Sequence, residues 1–111
     1  MSVVLSTKLK NAINKVVTTE NIEFSVKNII LNGVKRGCSG FIKNKDNGSV
    51  VYINTEPCCL SSIPPFMYRY AKDTKDYRGY RNRFARSLDE LAVSVVSMLH
   101  KTPEAAGDFR I

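Results

Sequence analysis

The sequence predicts an α+β fold: a three-stranded antiparallel sheet with an N-terminal and a C-terminal helix packed on one face, in αβββα order. Apolar residues recur at helical spacing near both ends of the chain, and two turn signals separate three apolar stretches between them. Each helix has one apolar stripe to bury, so one face of a single sheet can cover both. The 111 residues predict one domain over 1–103 and a loosely ordered tail at 104–111.

The first helix is predicted over residues 3–17, with Ser2 or Ser6 as its N-cap. Lysines and asparagines occupy one face of this segment, which is typical of a solvated helix surface. Its opposite face carries the apolar stripe, formed by Leu5, Leu9, Ala12, Ile13 and Val16.

The first strand is predicted from the alternation of Ile22, Phe24 and Val26 with polar residues. The alternation changes phase near Asn28 and continues into an apolar run. This change predicts a bulge in the strand, or a strand end that is buried on both faces.

Two tight turns are predicted to connect this strand to the next two. Asn32-Gly33 is a strong hairpin dipeptide, and Asp-Asn-Gly at 46–48 is a second turn signal. They delimit strands at 35–45 and 49–54. Glycines weaken the first of these strands and allow another backbone to approach it closely, at Gly37 and Gly40.

The last helix is the clearest predicted element. Three prolines make residues 56–65 an irregular connection, and Ser87 with Glu90 then forms a capping-box signature. In such a box the serine side chain and the glutamate satisfy opposite backbone amides at the helix start. Pro103 prevents the helix from continuing. The apolar stripe of the helix consists of Leu88, Leu91, Ala92, Val95, Met98 and Leu99.

Charge and cysteine usage limit the function classes. The net charge of +7 raises affinity for nucleic acid, anionic lipid or acidic proteins. Three cysteines without a signal peptide predict a reducing, cytoplasmic location. One histidine and no CxxC spacing give no basis for a metal site, and the apolar runs are too short to cross a membrane.

The positive charge is concentrated in residues 66–86. This segment contains seven basic residues and only Asp73 and Asp76 as acidic ones, so it carries five of the seven net charges. It also contains four of the five tyrosines. Arginine binds phosphate or carboxylate with a planar fork, and tyrosine offers a ring on which a base can stack. Interleaved Arg and Tyr are typical of single-stranded nucleic-acid surfaces and of protein hot spots.

The segment therefore supplies the candidate contact residues. Five of its basic residues recur at every third position, which forms one straight stripe in an extended three-per-turn conformation. Gly79 argues against one continuous helix, although 66–75 could form a short one. Some of the aromatic residues are expected to seal the core rather than bind. The predicted contact set is Arg69, Lys72, Lys75, Tyr77, Arg78, Tyr80, Arg81, Arg83 and Arg86, with Arg78, Arg81 and Arg83 foremost.

Catalysis is not expected. A nucleophilic pair could be drawn only from Cys58 or Cys59 with His100, and that histidine is explained by its position at a helix end. The carboxylates are scattered, and the glycines at 37–40 lack the lysine and helix of a phosphate loop. No enzyme activity, cofactor or small-molecule substrate is predicted.

Two functions of different classes remain. The first is a non-catalytic module that contacts nucleic acid or a nucleoprotein through residues 66–86. The alternative is a phage or mobile-element inhibitor or adaptor, anti-CRISPR-like in scale, that docks on a host protein complex. Membrane-surface binding by the first helix ranks last, because its apolar stripe is needed for the core. Oligomeric state and the identity of the partner are left open.

The predicted order of elements is similar to that of double-stranded-RNA-binding domains. The resemblance implies phosphate contacts from the start of the last helix and a loop that enters a groove of the duplex. In that family a lysine cluster opens the last helix. Here the helix opens with Ser87-Leu88-Asp89-Glu90, so phosphate contacts would have to come from the preceding basic segment.

Overall fold

The computed structural model describes residues 5–17, 20–31, 34–54, 66–73, 75 and 80–102. Within these ranges the chain forms a helix, then five strands, then a second helix. All five strands form one antiparallel sheet in the order β1-β2-β3-β4-β5, so each strand pairs with its neighbour in sequence. The elements are α1 (Leu5–Val16), β1 (Ile22–Leu31), β2 (Val34–Asn44), β3 (Val50–Asn54), β4 (Phe66–Ala71), β5 (Arg83–Ala85) and α2 (Leu88–Leu99).

The α+β class is confirmed, but the prediction of three strands is wrong. The described part of the chain has five, and both additional strands lie in residues 66–86. The short helix considered for 66–75 is likewise replaced by β4. With two more strands between the helices, the element order no longer matches that of double-stranded-RNA-binding domains.

The main core lies between the sheet and the two helices, which pack on the same face. From α1, Leu9 and Ile13 are buried, and from α2 the predicted stripe is buried almost entirely. The sheet contributes side chains from β2, β3, β4 and β5. These are Cys38, Ile42, Val51, Ile53, Tyr68, Tyr70 and Ala85.

A second, smaller apolar cluster lies on the other face of the sheet. The register pairs Phe41 with Tyr52, and their ring centroids are 5.1 Å apart. Val50 and Ala71 are buried in the same cluster. Strands β3 and β4 are therefore buried on both faces where they pair, which removes the alternation that a half-buried strand shows.

Close approach of β1 and β2 requires Gly40. Its φ is +152°, and a Cβ placed there would lie 2.1 Å from the carbonyl oxygen of Ser25. The predicted close backbone contact is therefore confirmed at this glycine. The register between the two strands shifts between Ile29 and Ile30, just after the predicted bulge near Asn28.

The helix starts differ in part from the prediction. In the described part of the chain helix α1 begins at Leu5, so Ser6 lies within the helix, while Ser2, the other predicted N-cap, lies outside the described residues. Ser87 caps α2 by accepting from the amide of Glu90 at 3.1 Å, as predicted. The Glu90 carboxylate, however, accepts from the amide of Arg86 at 3.1 Å rather than from that of the cap residue.

The C-terminal end of α2 is held to the sheet by side-chain donors. The last carbonyls of a helix have no partner within the helix and need one elsewhere. The Tyr70 hydroxyl donates to the Met98 carbonyl at 2.8 Å, and the buried Asn44 amide donates to the Leu99 carbonyl at 2.9 Å. Ser49 donates to the carbonyl of Lys101.

The turn between β2 and β3 takes part in the same anchor. Asn47 donates to the Leu99 carbonyl at 3.0 Å, and its side-chain oxygen accepts from the amide of Ser49. Gly48 has a φ of +78°, which fits the turn predicted at 46–48. The other predicted turn at 32–33, the connection at 56–65 and the tail at 104–111 lie outside the described residues.

Replacing Asn44 with alanine should destabilise the domain by about 1–3 kcal/mol, the range for removing a partner from buried polar groups. Asn44 is 2% exposed; its oxygen also accepts from the Asp46 amide, so both ends of its side chain are used. Asn21→Ala is the control, because Asn21 is exposed and its side chain donates to the exposed Asp46 side chain. That change should stay within about 0.5 kcal/mol. Urea unfolding measures both, and equal effects would contradict the anchor.

Candidate nucleic-acid interface

Strand β4 directs two tyrosines of the basic segment into the main core. Tyr68 is 7% exposed and Tyr70 is fully buried. Both pair with β3 and lie on the face that the helices cover, next to Ile53 and Val51. These two rings are core residues, and the structure leaves neither of them on the surface for stacking.

Arg69 lies between them on the opposite face and is also buried, at 3% exposure. Its guanidinium carbon is 4.5 Å from the centroid of the Tyr52 ring, and its Nη1 donates to the Tyr70 carbonyl at 3.2 Å. A cation over an aromatic face is stabilised by the ring quadrupole. Arg69 was predicted as a contact residue, but the structure places it in a buried position.

After β4 the described residues Lys72 and Asp73 lie outside the sheet, and Tyr80 contacts β4 again. Lys72 and Lys75 are exposed, and the Asp73 carboxylate accepts from the Lys75 amide at 2.8 Å. The Tyr80 amide donates to the Tyr70 carbonyl at 3.3 Å, and the two rings meet edge-on with centroids 6.2 Å apart. Tyr80 is therefore half-buried. The predicted contact residues Tyr77 and Arg78 lie outside the described residues.

Strand β5 lies at the edge of the described sheet, and three arginines lie in it or close to it in the chain. Arg81 and Arg86 flank the strand and are exposed, whereas Arg83 is half-buried. The register pairs Arg83 with Tyr68, so its side chain lies on the helix-covered face. Phe84 lies on the opposite face and is 49% exposed. We call Lys72, Lys75, Arg81, Arg83 and Arg86 together the basic edge.

A groove lies between Arg83 and helix α2. Its volume is about 290 Å³, and it is partly open to solvent. Val93 is 57% exposed and forms an apolar part of the wall. The Nε atom of Arg83 is buried there. The lining residues are Tyr68, Arg83, Val93, Ser94, Ser97 and Met98.

Three exposed carboxylates adjoin the basic edge. Asp73 shapes the chain after β4, and Glu90 accepts from the Arg86 amide. Asp89 lies in the first turn of α2, four residues before Val93. Residues four apart on a helix are neighbours, so Asp89 lies next to Val93, one of the residues that line the groove. Within the described ranges, the basic edge thus combines five cations with these carboxylates at its margins.

Other kinds of site have no support in the described residues. No three His, Cys, Asp or Glu side chains there come together in a way that could hold a metal ion. Neither described helix has the length and apolar character needed to span a membrane. Cys58 and Cys59 lie outside the described ranges.

The groove, with Val93, Ser94 and Ser97, was not predicted, and Phe84 was not among the predicted contact residues. The alternation of side chains in a strand would have indicated the position of Phe84. In a strand, Arg83 and Ala85 lie on one face and Phe84 lies on the other. The groove had no such signal, because it depends on how β5 sits against α2. Comparison with protein-family models, curated proteins and solved structures finds no match for this chain.

Arg69→Ala should lower the free energy of unfolding by about 1–3 kcal/mol, because it removes a buried cation–π contact and a hydrogen bond. Arg81→Ala removes the same charge from an exposed position and should change stability by less than about 0.5 kcal/mol. Urea unfolding of both variants tests this difference. Unchanged stability for Arg69→Ala would show that the side chain is not held as the structure has it.

Proposed function

We propose that the chain is a non-catalytic module that binds nucleic acid through the basic edge. The observation that carries the proposal is that Arg83 lies in β5, at the edge of the described sheet, with the exposed Arg81 and Arg86 on either side of it in the chain. The exposed Lys72 and Lys75 follow β4, the strand with which β5 pairs. A core does not need these cations, since four of the five are exposed. Their function is therefore to be sought in contact with an anion.

The length of chain from Arg81 to Arg86 is compatible with the spacing of phosphates in a nucleic-acid backbone. From Arg81 to Arg86 an extended chain covers about 17 Å, at roughly 3.3 Å per residue. A nucleic-acid strand carries one charge per about 3.4 Å of helix rise, so several phosphates lie within this distance. Guanidinium groups bind phosphate oxygens with two parallel hydrogen bonds. Such contacts supply affinity and orientation without reading the sequence.

Phe84 is the aromatic residue best placed to add a stacking contact. Phe84 is 49% exposed and lies between Arg81 and Arg86 in the chain. In contrast, Tyr68 and Tyr70 are buried, and Tyr80 packs against Tyr70. Stacking of a base on an exposed ring contributes about 1–3 kcal/mol. Among the described residues, the aromatic part of the proposed interface is therefore this phenylalanine, while the predicted contact residue Tyr77 lies outside them.

A second candidate function is docking on an acidic protein surface, as an inhibitor or adaptor of a larger complex would do. The observation that favours it is that two apolar side chains near Arg83 are exposed: Phe84, its neighbour in β5 on the opposite face of the sheet, and Val93, which lines the groove with Arg83. Arginine and aromatic residues dominate protein hot spots. A copurifying protein that stays bound after nuclease treatment, and is lost in Phe84→Ala, would support this candidate.

Binding to a fluorescent oligonucleotide should weaken steeply as salt rises. The probe is a single strand of about ten nucleotides, within the usual range of site sizes. Arg81→Ala and Arg86→Ala should each weaken binding and reduce the slope of log K against log salt by about 0.7 per lost phosphate contact. The matched controls are Lys8→Ala and Lys15→Ala, exposed cations on α1 that should change neither quantity beyond a small general charge effect.

Two outcomes would overturn the proposal. One is the lack of binding to any DNA or RNA at low salt by a folded protein. The other is an equal loss of affinity in the α1 controls and in the arginine variants, because that would indicate a diffuse effect of net charge.

A further inference from the structure

The groove opens directly beside the basic edge, and Arg83 belongs to both. Arg81 and Arg86 flank it on either side along the chain. A nucleic-acid strand that ran along β5 between the flanking arginines would reach the groove at Arg83. Part of such a strand could therefore enter the groove.

The lining combines one cation, two hydroxyls and an apolar surface. Arg83 lies on the β5 side, and Ser94 and Ser97 lie three residues apart on the α2 side, so they share a helix face. Val93 supplies the exposed apolar part. Arginine and serine are common donors to phosphate and sugar oxygens, and an apolar surface covers the face of a base.

The volume restricts the occupant to something small. About 290 Å³ is at the lower limit of the roughly 300–1,000 Å³ of small-ligand sites. That space suits one nucleotide and excludes a duplex. A base in a duplex is stacked and paired, and withdrawing it costs a few kcal/mol, whereas a base in a single strand is available.

From these three observations we propose that the groove holds one unstacked nucleotide, with a phosphate oxygen on Arg83 and the base against Val93. The chain then prefers single strands to duplexes. This inference rests on the proposed function, because it names which form of nucleic acid the basic edge binds and where one base goes.

The carboxylate of Asp89 allows a test of whether a phosphate binds at the groove. Asp89 lies one helical turn before Val93, so we expect its carboxylate to repel a phosphate held at the groove. Asp89→Asn removes that repulsion while keeping the size of the side chain. It should raise affinity for the single strand by about two- to threefold, in line with one weak exposed charge interaction.

The main experiment compares a single strand of about ten thymidines with a duplex of equal length, by fluorescence anisotropy at one salt concentration. Arg83→Gln should lower single-strand affinity about tenfold and duplex affinity much less. Arg81→Gln, the matched control outside the groove, should lower both to a similar extent.

A second variant keeps the test valid if Arg83→Gln perturbs folding. Ser94→Ala with Ser97→Ala replaces two hydroxyls on the α2 wall and keeps a helix-favouring residue at each position. It should lower single-strand affinity about threefold or more and leave duplex affinity unchanged. Thermal unfolding checks that each variant is folded.

These experiments distinguish failure of the proposed function from failure of the groove inference. If the folded protein binds no nucleic acid, both the proposed function and this inference are wrong. If it binds, but the groove variants affect single strand and duplex alike, the groove inference alone is wrong. Binding of a glutamate-rich peptide in place of the oligonucleotide, lost in Arg83→Gln, would also contradict it and favour docking on protein.

Discussion

The fold depends on the satisfaction of the last carbonyls of α2 by side chains of the sheet. Buried carbonyls without a partner cost about 1–3 kcal/mol each, so the helix can end against the sheet only where donors are present. Tyr70 from β4 and Asn44 from β2 supply them deep in the core. Asn47 adds a third donor from the turn between β2 and β3. These contacts set the position of α2, and with it the groove that α2 forms with Arg83.

The parts of the fold that follow local periodicity could be predicted from the sequence. Both helices, the cap at Ser87 and the strands up to residue 54 depend on spacing, turn residues and capping chemistry that are local in the chain. Strand β4 could not be predicted in this way. It is buried on both faces, so its residues show no alternation, and the charge of Arg69 suggested a surface. Only the three-dimensional pairing with Tyr52 shows how that charge is accommodated.

The charge of residues 66–86 identified candidate contact residues from the sequence, but the groove could not be identified in this way. The concentration of cations in 66–86 leads to Lys72, Lys75, Arg81, Arg83 and Arg86, which the structure shows exposed or half-buried. The division of the aromatic residues between core and surface follows from strand register, which a sequence does not specify. As a result Tyr68 and Tyr70 are in the core, while Phe84 is on the surface. The groove depends on packing between β5 and α2, so it becomes visible only in the fold.

The central claim is that the basic edge and its groove form one nucleic-acid surface. Amide chemical shifts of the ¹⁵N-labelled protein, followed while a short oligothymidylate is added, test it most directly. We predict that the largest shifts occur at Lys72, Lys75, 81–86 and 93–97, with α1 and β1 unchanged. Shifts that are largest in α1 or β1, or that spread evenly over the chain, would contradict the claim.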